Sequence, residues 1–118
     1  MSTTLYGIKN CDTVRAARRW LDSHNIDYVF SDVREQALSP EQLRAWLQEL
    51  GLALVNKRST TWKQLSQSER DNLDAETAVA LLSQHPTLMK RPLLDTGRER
   101  HLGFKAEDYQ RLFAHHTL

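Results

Sequence analysis

Apolar residues recur along this chain with two different periods, and the alternation between them outlines the elements. Near the N-terminus, Thr3-Thr4-Leu5-Tyr6-Gly7 is β-branched and aromatic and ends in a glycine that permits a tight turn, which predicts a short strand followed by a loop over Ile8–Cys11. From Thr13 the spacing becomes helical. Val14, Ala17 and Leu21 fall on one stripe, Arg15, Arg18, Arg19 and Asp22 fall mostly off it, and Asn25 ends the segment. Ile26–Asp32 is again aromatic and β-branched, so the first thirty-odd residues read as strand, helix, strand. Such a crossover joins parallel strands and is right-handed.

The middle of the chain is helical. Ser39-Pro40-Glu41-Gln42 combines a serine N-cap, proline at the first helical position and Gln three residues after the cap, the pattern of a capping box. Leu43, Trp46, Leu47 and Leu50 then share a face, with Gly51 as the C-terminal stop. Ser66 with Glu69 predicts a second capping box, and Asp74 opens a third segment in which Ala78, Leu81 and Leu82 share a face before His85-Pro86 ends it. No strand signal interrupts Ser39–His85. Strand character returns over Leu88–Leu94, and Asp95-Thr96-Gly97 turns the chain into Glu99–Gly103, an antiparallel hairpin. Lys105–His116 closes as a helix with Tyr109, Leu112 and Phe113 toward the sheet. The order is βαβ, a helical insert, then ββα: an α/β fold with a mixed four-stranded sheet covered by helices.

Composition narrows the classes. The chain has 118 residues, enough for one core, so a single domain over 1–118 is expected, with the core formed by 1–34 and 87–118 and the insert spanning 35–86. Lys plus Arg number 16 and Asp plus Glu 15, a net charge of +1 with the two signs interleaved, which argues against a direct nucleic-acid footprint. With 40% hydrophobic and 26% charged residues the composition is that of a globular chain. Its longest apolar runs, such as Leu52–Val55, fall far short of the roughly 20 residues of a membrane span. Met1–Lys9 lacks the basic and apolar regions of a signal peptide, so a cytoplasmic location is expected. The five histidines have no metal-site spacing: His24, His85 and His101 are scattered, and the neighbours His115 and His116 would point about 100° apart on a helix. No metal is assigned, and no tightly bound cofactor. Trp20, Trp46 and Trp62 are spread out as packing groups, with Trp62 placed to line a site beside the Arg58 loop.

Cys11 is the single cysteine. It lies just before the first helix, where unpaired backbone N–H groups and the helix dipole favour an anion. Cysteines at helix N-termini or near cations are often reactive thiolates, whereas a free cysteine elsewhere is usually a small buried apolar residue. Lys9 and Arg15 are near in sequence and favour the thiolate; Asp12 opposes it. Position alone does not reverse the buried, inert reading of a lone cysteine. Asp12 and Thr13 are candidate helix caps, and their backbone N–H groups could also form an anion nest beside the thiol.

A wider pattern bears on that choice. Tyr6-Gly7-Ile8-Lys9-Asn10-Cys11-Asp12-Thr13, followed by an amphipathic helix and a second strand, resembles the start of the ArsC family. Leu54-Val55-Asn56-Lys57-Arg58-Ser59-Thr60-Thr61-Trp62 is similar to that family's arginine-bearing insert loop, and His85-Pro86-Thr87-Leu88-Met89-Lys90-Arg91-Pro92-Leu93 to its second arginine segment. Leu102-Gly103-Phe104 is similar to its final strand. The resemblance runs from about Thr4 to Phe113 and is nearest to the YffB-like and Spx-like branch. It implies a thioredoxin-like fold with a helical insert, Cys11 as redox nucleophile, Arg58 and Arg91 facing it across a cleft between sheet and insert, and Pro92 as a cis-proline. Asn10 and the amides of Asp12 and Thr13 would complete the pocket. Taken without the resemblance, each arginine also has a reading as a solvated surface residue.

Two departures refine the implied chemistry. Where the family's arsenate reductases carry a third arginine, this chain has Phe104, which turns the expectation away from arsenate. Where the Spx-type regulators carry a second cysteine three residues after the first, this chain has Val14, so no intramolecular disulfide can form. A monothiol needs an outside thiol to resolve it, and glutathione is the expected co-substrate. The leading expectation is thus a glutathione-linked thiol oxidoreductase acting through Cys11 on an oxidised sulfur or an oxyanion. Its rival is a non-enzymatic Spx-like regulator that binds RNA polymerase or another protein partner.

Overall fold

A computed structural model describes residues 2–114 of the chain. Leu5 is the natural starting point, because it is fully buried in the first strand and belongs to the apolar cluster that joins the sheet to its helices. β1 (Thr4–Gly7) pairs in parallel with β2 (Val29–Asp32) after the crossover through α1 (Asp12–Ser23). β3 (Leu93–Asp95) then runs antiparallel to β1, and β4 (Arg100–Leu102) antiparallel to β3, giving the order β2-β1-β3-β4. The mixed four-stranded sheet of the expected α/β fold is therefore present. α6 (Ala106–Leu112) lays Tyr109 and Leu112 on it, and Val14, Ala17 and Leu21 of α1 join Leu5, Leu94 and Phe113 in one apolar cluster. The stripe read from the spacing of α1 is the buried face.

The chain forms two compact units. One takes in the sheet, α1 and α6, up to Asp32 and from Arg91 onward; the other is Val33–Lys90. In the second unit α2 (Pro40–Leu50) buries Leu43, Trp46 and Leu47 and packs on α5 (Ala75–Gln84), which buries Ala78, Val79, Leu81 and Leu82. Gly51 ends α2 as expected, with φ 68 and its N–H donating to Leu47 O. Ser66 and Glu69 form the expected reciprocal box at α4 (Gln67–Asp71), and Asp74 forms one with Thr77 at α5. At α2 only half of the expected box exists, the Ser39 hydroxyl accepting from Gln42 N–H at 3.1 Å.

Several expected bounds shift. β2 starts at Val29 and not Ile26, because Ile26 N–H closes the end of α1 by donating to Leu21 O. The strand expected from Leu88 begins only at Leu93: Pro86–Leu88 is a 3-10 turn, and Met89 pairs with Val55 in an isolated antiparallel bridge. That bridge also places a strand-like contact inside the stretch read as purely helical. A short helix, α3 (Thr60–Gln64), forms where a loop was read. Its start signal, Ser59 accepting from Trp62 N–H, has the spacing of a cap without an apolar repeat behind it. No helix among the described residues is long and apolar enough to cross a membrane. His115 and His116 lie outside the described residues.

Candidate active site

Strand directions decide which loops meet. β1 and β2 finish together, Gly7 opposite Asp32, while β3 starts opposite Tyr6 and β4 ends opposite the start of β3. One end of the sheet therefore collects the loop after β1, the Arg91-Pro92 segment before β3 and the Gly103-Phe104 segment after β4. Two hydrogen bonds tie these pieces down. Lys9 N–H donates to the buried Asp32 carboxylate at 3.1 Å, and Gly103 N–H donates to Pro92 O at 2.9 Å. The Arg91–Pro92 peptide bond is cis.

Cys11 stands at this end as the N-cap of α1, with φ −104 and ψ 125, a free and half-buried thiol packed against the apolar cluster. Its carbonyl accepts the first helical bond from Arg15 N–H at 2.9 Å. The amides of Asp12, Thr13 and Val14 precede that bond. An N-cap side chain is normally met by the N–H of the second or third helical residue, here Thr13 and Val14. The sulfur makes no cap hydrogen bond as it stands. A neutral thiol is a weak acceptor; a thiolate at this position would find those amides and the positive end of a 12-residue helix. Neither Asp12 nor Thr13 caps the helix, which corrects the reading of either as the cap. Glycine at position 7 serves close approach here, without a positive φ: a Cβ there would lie 2.7 Å from Val14 Cγ2.

The cations divide differently from their order in the sequence. Arg15 is held by Asp12 in an exposed pair at 2.8 Å, so its charge is largely spent beside a carboxylate that is itself 97% exposed. Arg91 is the opposite case. Its Nε and Nη1 are buried and make no hydrogen bond. Buried donors on a charged group are costly to leave unmet, and an anion is the ligand that meets them. Phe104, at the matching position of the absent third arginine, turns its ring edge-on to Tyr109 at 4.8 Å and belongs to the apolar packing. Asn10 is exposed on the loop.

Arg58 belongs to the other unit. It is exposed, its N–H donates to Asn56 Oδ1 at 3.0 Å, and Trp62 beside it lies in α3 with Lys57 Nζ 5.7 Å from its ring centre. Asp32 is the residue that sequence reading missed. An acid ending a strand carries no local signal, and its task of anchoring the loop of Lys9 exists only because β2 finishes level with β1. Among the described residues no three His, Cys, Asp or Glu side chains group as metal ligands. An apolar cavity of about 380 Å³ beside Trp20, His24 and Phe113 sits at the C-terminal end of α1. It is roughly 18 Å from Cys11 at the 1.5 Å rise per helical residue, and so lies apart from this site.

Known proteins share this fold and much of this sequence. An uncharacterised protein of Haemophilus influenzae is 43% identical over 112 residues, covering 94% of this chain and 98% of its own. The solved structure of the YffB protein superposes with a TM-score of 0.89 at 37% identity, covering 93% of this chain and 97% of that one. An arsenate reductase (ArsC) related protein from Brucella melitensis gives a TM-score of 0.77 at 40% identity, over 96% and 95% of the two chains. The global transcriptional regulator Spx 2 of Bacillus cereus is 26% identical, covering 91% of this chain and 83% of its own. The model of the ArsC family matches residues 6–112, and with the cysteine, the second arginine and the proline in their expected order, the chain belongs to the ArsC family.

Proposed function

We propose that this chain is a monothiol oxidoreductase that reduces glutathione mixed disulfides through Cys11. The observation that carries the reading is the pairing of an N-cap cysteine with Arg91, whose buried Nε and Nη1 have no partner, at one end of one sheet. The thiolate attacks the glutathionyl sulfur of a mixed disulfide; a sulfur–sulfur bond forms at Cys11 as the substrate's own breaks, and the substrate leaves as a thiolate that takes up a proton. A second glutathione, as thiolate, then attacks the Cys11 adduct. Oxidised glutathione departs and the Cys11 thiolate returns, so one mixed disulfide and one glutathione thiol become the substrate thiol and oxidised glutathione. Arg91 supplies charge and paired donors for a carboxylate of the glutathionyl group. Asn10 and the amides of Asp12, Thr13 and Val14 border the reacting sulfur. Phe104 argues for a sulfur substrate over arsenate, because an apolar ring offers an oxyanion nothing.

The other reading is that of a regulator, the description carried by the Spx relatives. Val14 weighs against a redox-switched version, since it is fully buried and fills the space above Gly7. Intact-mass spectrometry after incubation with oxidised glutathione tests the proposal. A single glutathione adduct on Cys11, removed by added glutathione and absent from Cys11→Ser, is expected. A Cys11 that stays unmodified would overturn the enzymatic reading.

A further inference from the structure

The helical unit carries a feature that the thiol chemistry does not use. Asn56 N–H donates to Leu88 O at 2.9 Å and Lys90 N–H to Leu54 O at 2.8 Å, flanking the Val55–Met89 bridge, so these two chain segments run antiparallel and hold their neighbours in place. Beside them opens a groove of about 720 Å³ lined by Lys57, Arg58 and Lys90 together with Asn56 and the apolar Leu52, Ala53 and Val55. The lining contains three cations and no acid. Among the described residues none of the three cationic heads is paired with a carboxylate: the contacts of Arg58 and Lys90 are backbone ones, and Lys57 lies over the Trp62 ring. In a chain with 16 basic and 15 acidic residues, interleaved elsewhere, this is a local departure from balance. Among the described residues, Leu52 is one of two large apolar side chains left exposed.

We infer that this groove is a docking surface for an acidic segment of a partner protein, one in which carboxylate side chains alternate with aliphatic ones. Charge complementarity sets the sign of the occupant, and the mixture of cationic and apolar lining residues sets its mixed character. The size is that of a site for several residues; a single phosphate would leave most of it empty. Nucleic acid fits less well. Three cations neutralise few phosphates, and Lys57 occupies the face of Trp62 on which a base would stack. The inference is independent of the thiol chemistry, since Cys11 lies in the other unit and takes no part in the groove.

Fluorescence anisotropy on the full chain, with a labelled peptide of alternating glutamate and leucine as probe, tests it. The unmodified protein and Cys11→Ser should bind the peptide equally. Lys57→Glu with Lys90→Glu should weaken binding by about tenfold or more. Raising the salt from about 0.1 M to about 1 M, which shortens screening from about 10 Å to about 3 Å, should weaken it as well. Leu52→Asp should weaken the glutamate–leucine peptide, and Lys63→Glu, outside the groove, should change nothing. The milder pair Lys57→Gln and Lys90→Gln, with circular dichroism of every variant, separates lost charge from lost fold. No peptide binding by the unmodified chain, binding indifferent to the lysine substitutions, or tighter binding of a single-stranded DNA oligonucleotide than of the peptide would each overturn the inference.

Discussion

Arg91 and Tyr109 both hold buried polar atoms without partners, and the difference between them is instructive. A guanidinium cannot shed its charge, so its unmet donors point to a ligand. Replacing Arg91 with Leu should raise the KM for a glutathionylated substrate well over tenfold while leaving the fold intact, and Arg91→Lys should restore only part of it, because an ammonium cannot offer paired planar donors. Steady-state kinetics on the two variants distinguishes a binding role from a merely structural one. Tyr109 is neutral and fully buried among Trp20, Phe104 and Phe113, where burial pushes its phenol far up from the ordinary 10. Tyr109→Phe deletes an unsatisfied hydroxyl and keeps every ring contact. A stability equal to the parent or greater by about 1 kcal/mol is expected from urea unfolding, and a loss of several kcal/mol would mean the hydroxyl has a partner after all. Gly7 and Val14 form a tight residue-level constraint. Gly7→Ala should cost about 1–3 kcal/mol through the clash with Val14, and adding Val14→Ala should recover part of it. Additive losses in the double variant would show that the two do not meet.

Elements are placed by their ends as much as by their faces. Glu69 and Asp74 are held below the usual carboxylate range by cap hydrogen bonds, chiefly backbone ones, at the starts of α4 and α5. A carboxylate with a lowered folded value stabilises the protein at neutral pH, and that share is lost as pH falls from the ordinary range through the folded one. Asp74→Asn keeps an N-cap acceptor but removes the charge. It should therefore flatten the acid limb of a helicity-against-pH curve while costing little at neutral pH, whereas Asp74→Ala, which also removes the cap acceptor, should lower stability at neutral pH as well. α1 has the reverse design: its N-cap is Cys11, which makes no cap bond. A stronger cap at that position, Cys11→Ser, is expected to raise the melting temperature slightly as it abolishes the glutathione adduct. That is the usual exchange between stability and reactivity at a site.

At the scale of the whole molecule, Tyr6 and Tyr109 give the alkaline response. Both phenols are raised by burial, Tyr6 also by the charge of Asp95. A raised folded value means the folded state holds its proton longer than the unfolded chain does, so this contribution is complete below about 10 and lost as pH climbs past it. Urea midpoints measured upward from neutral pH should hold steady and then fall above about pH 10, less steeply in Tyr109→Phe. The elements themselves were legible from local pattern. The stripe of α1, the Gly51 stop, the Ser66 and Asp74 caps and the hairpin about Gly97 follow from spacing and turn chemistry, which act over a few residues. Cys11 at a helix start and the two arginine segments were legible too, the latter through resemblance. Tertiary structure alone decided the rest. Asp32 reaches the Lys9 loop only because parallel strands finish level; Arg91 shares a sheet end with Cys11 only because β3 runs antiparallel to β1; Lys57, Arg58 and Lys90 line one groove only because Val55 bridges to Met89. Helix spacing and caps are written in neighbours along the chain, so the sequence by itself determines them. Pairing across more than twenty residues depends on strand direction and register, and those exist only once the chain has folded.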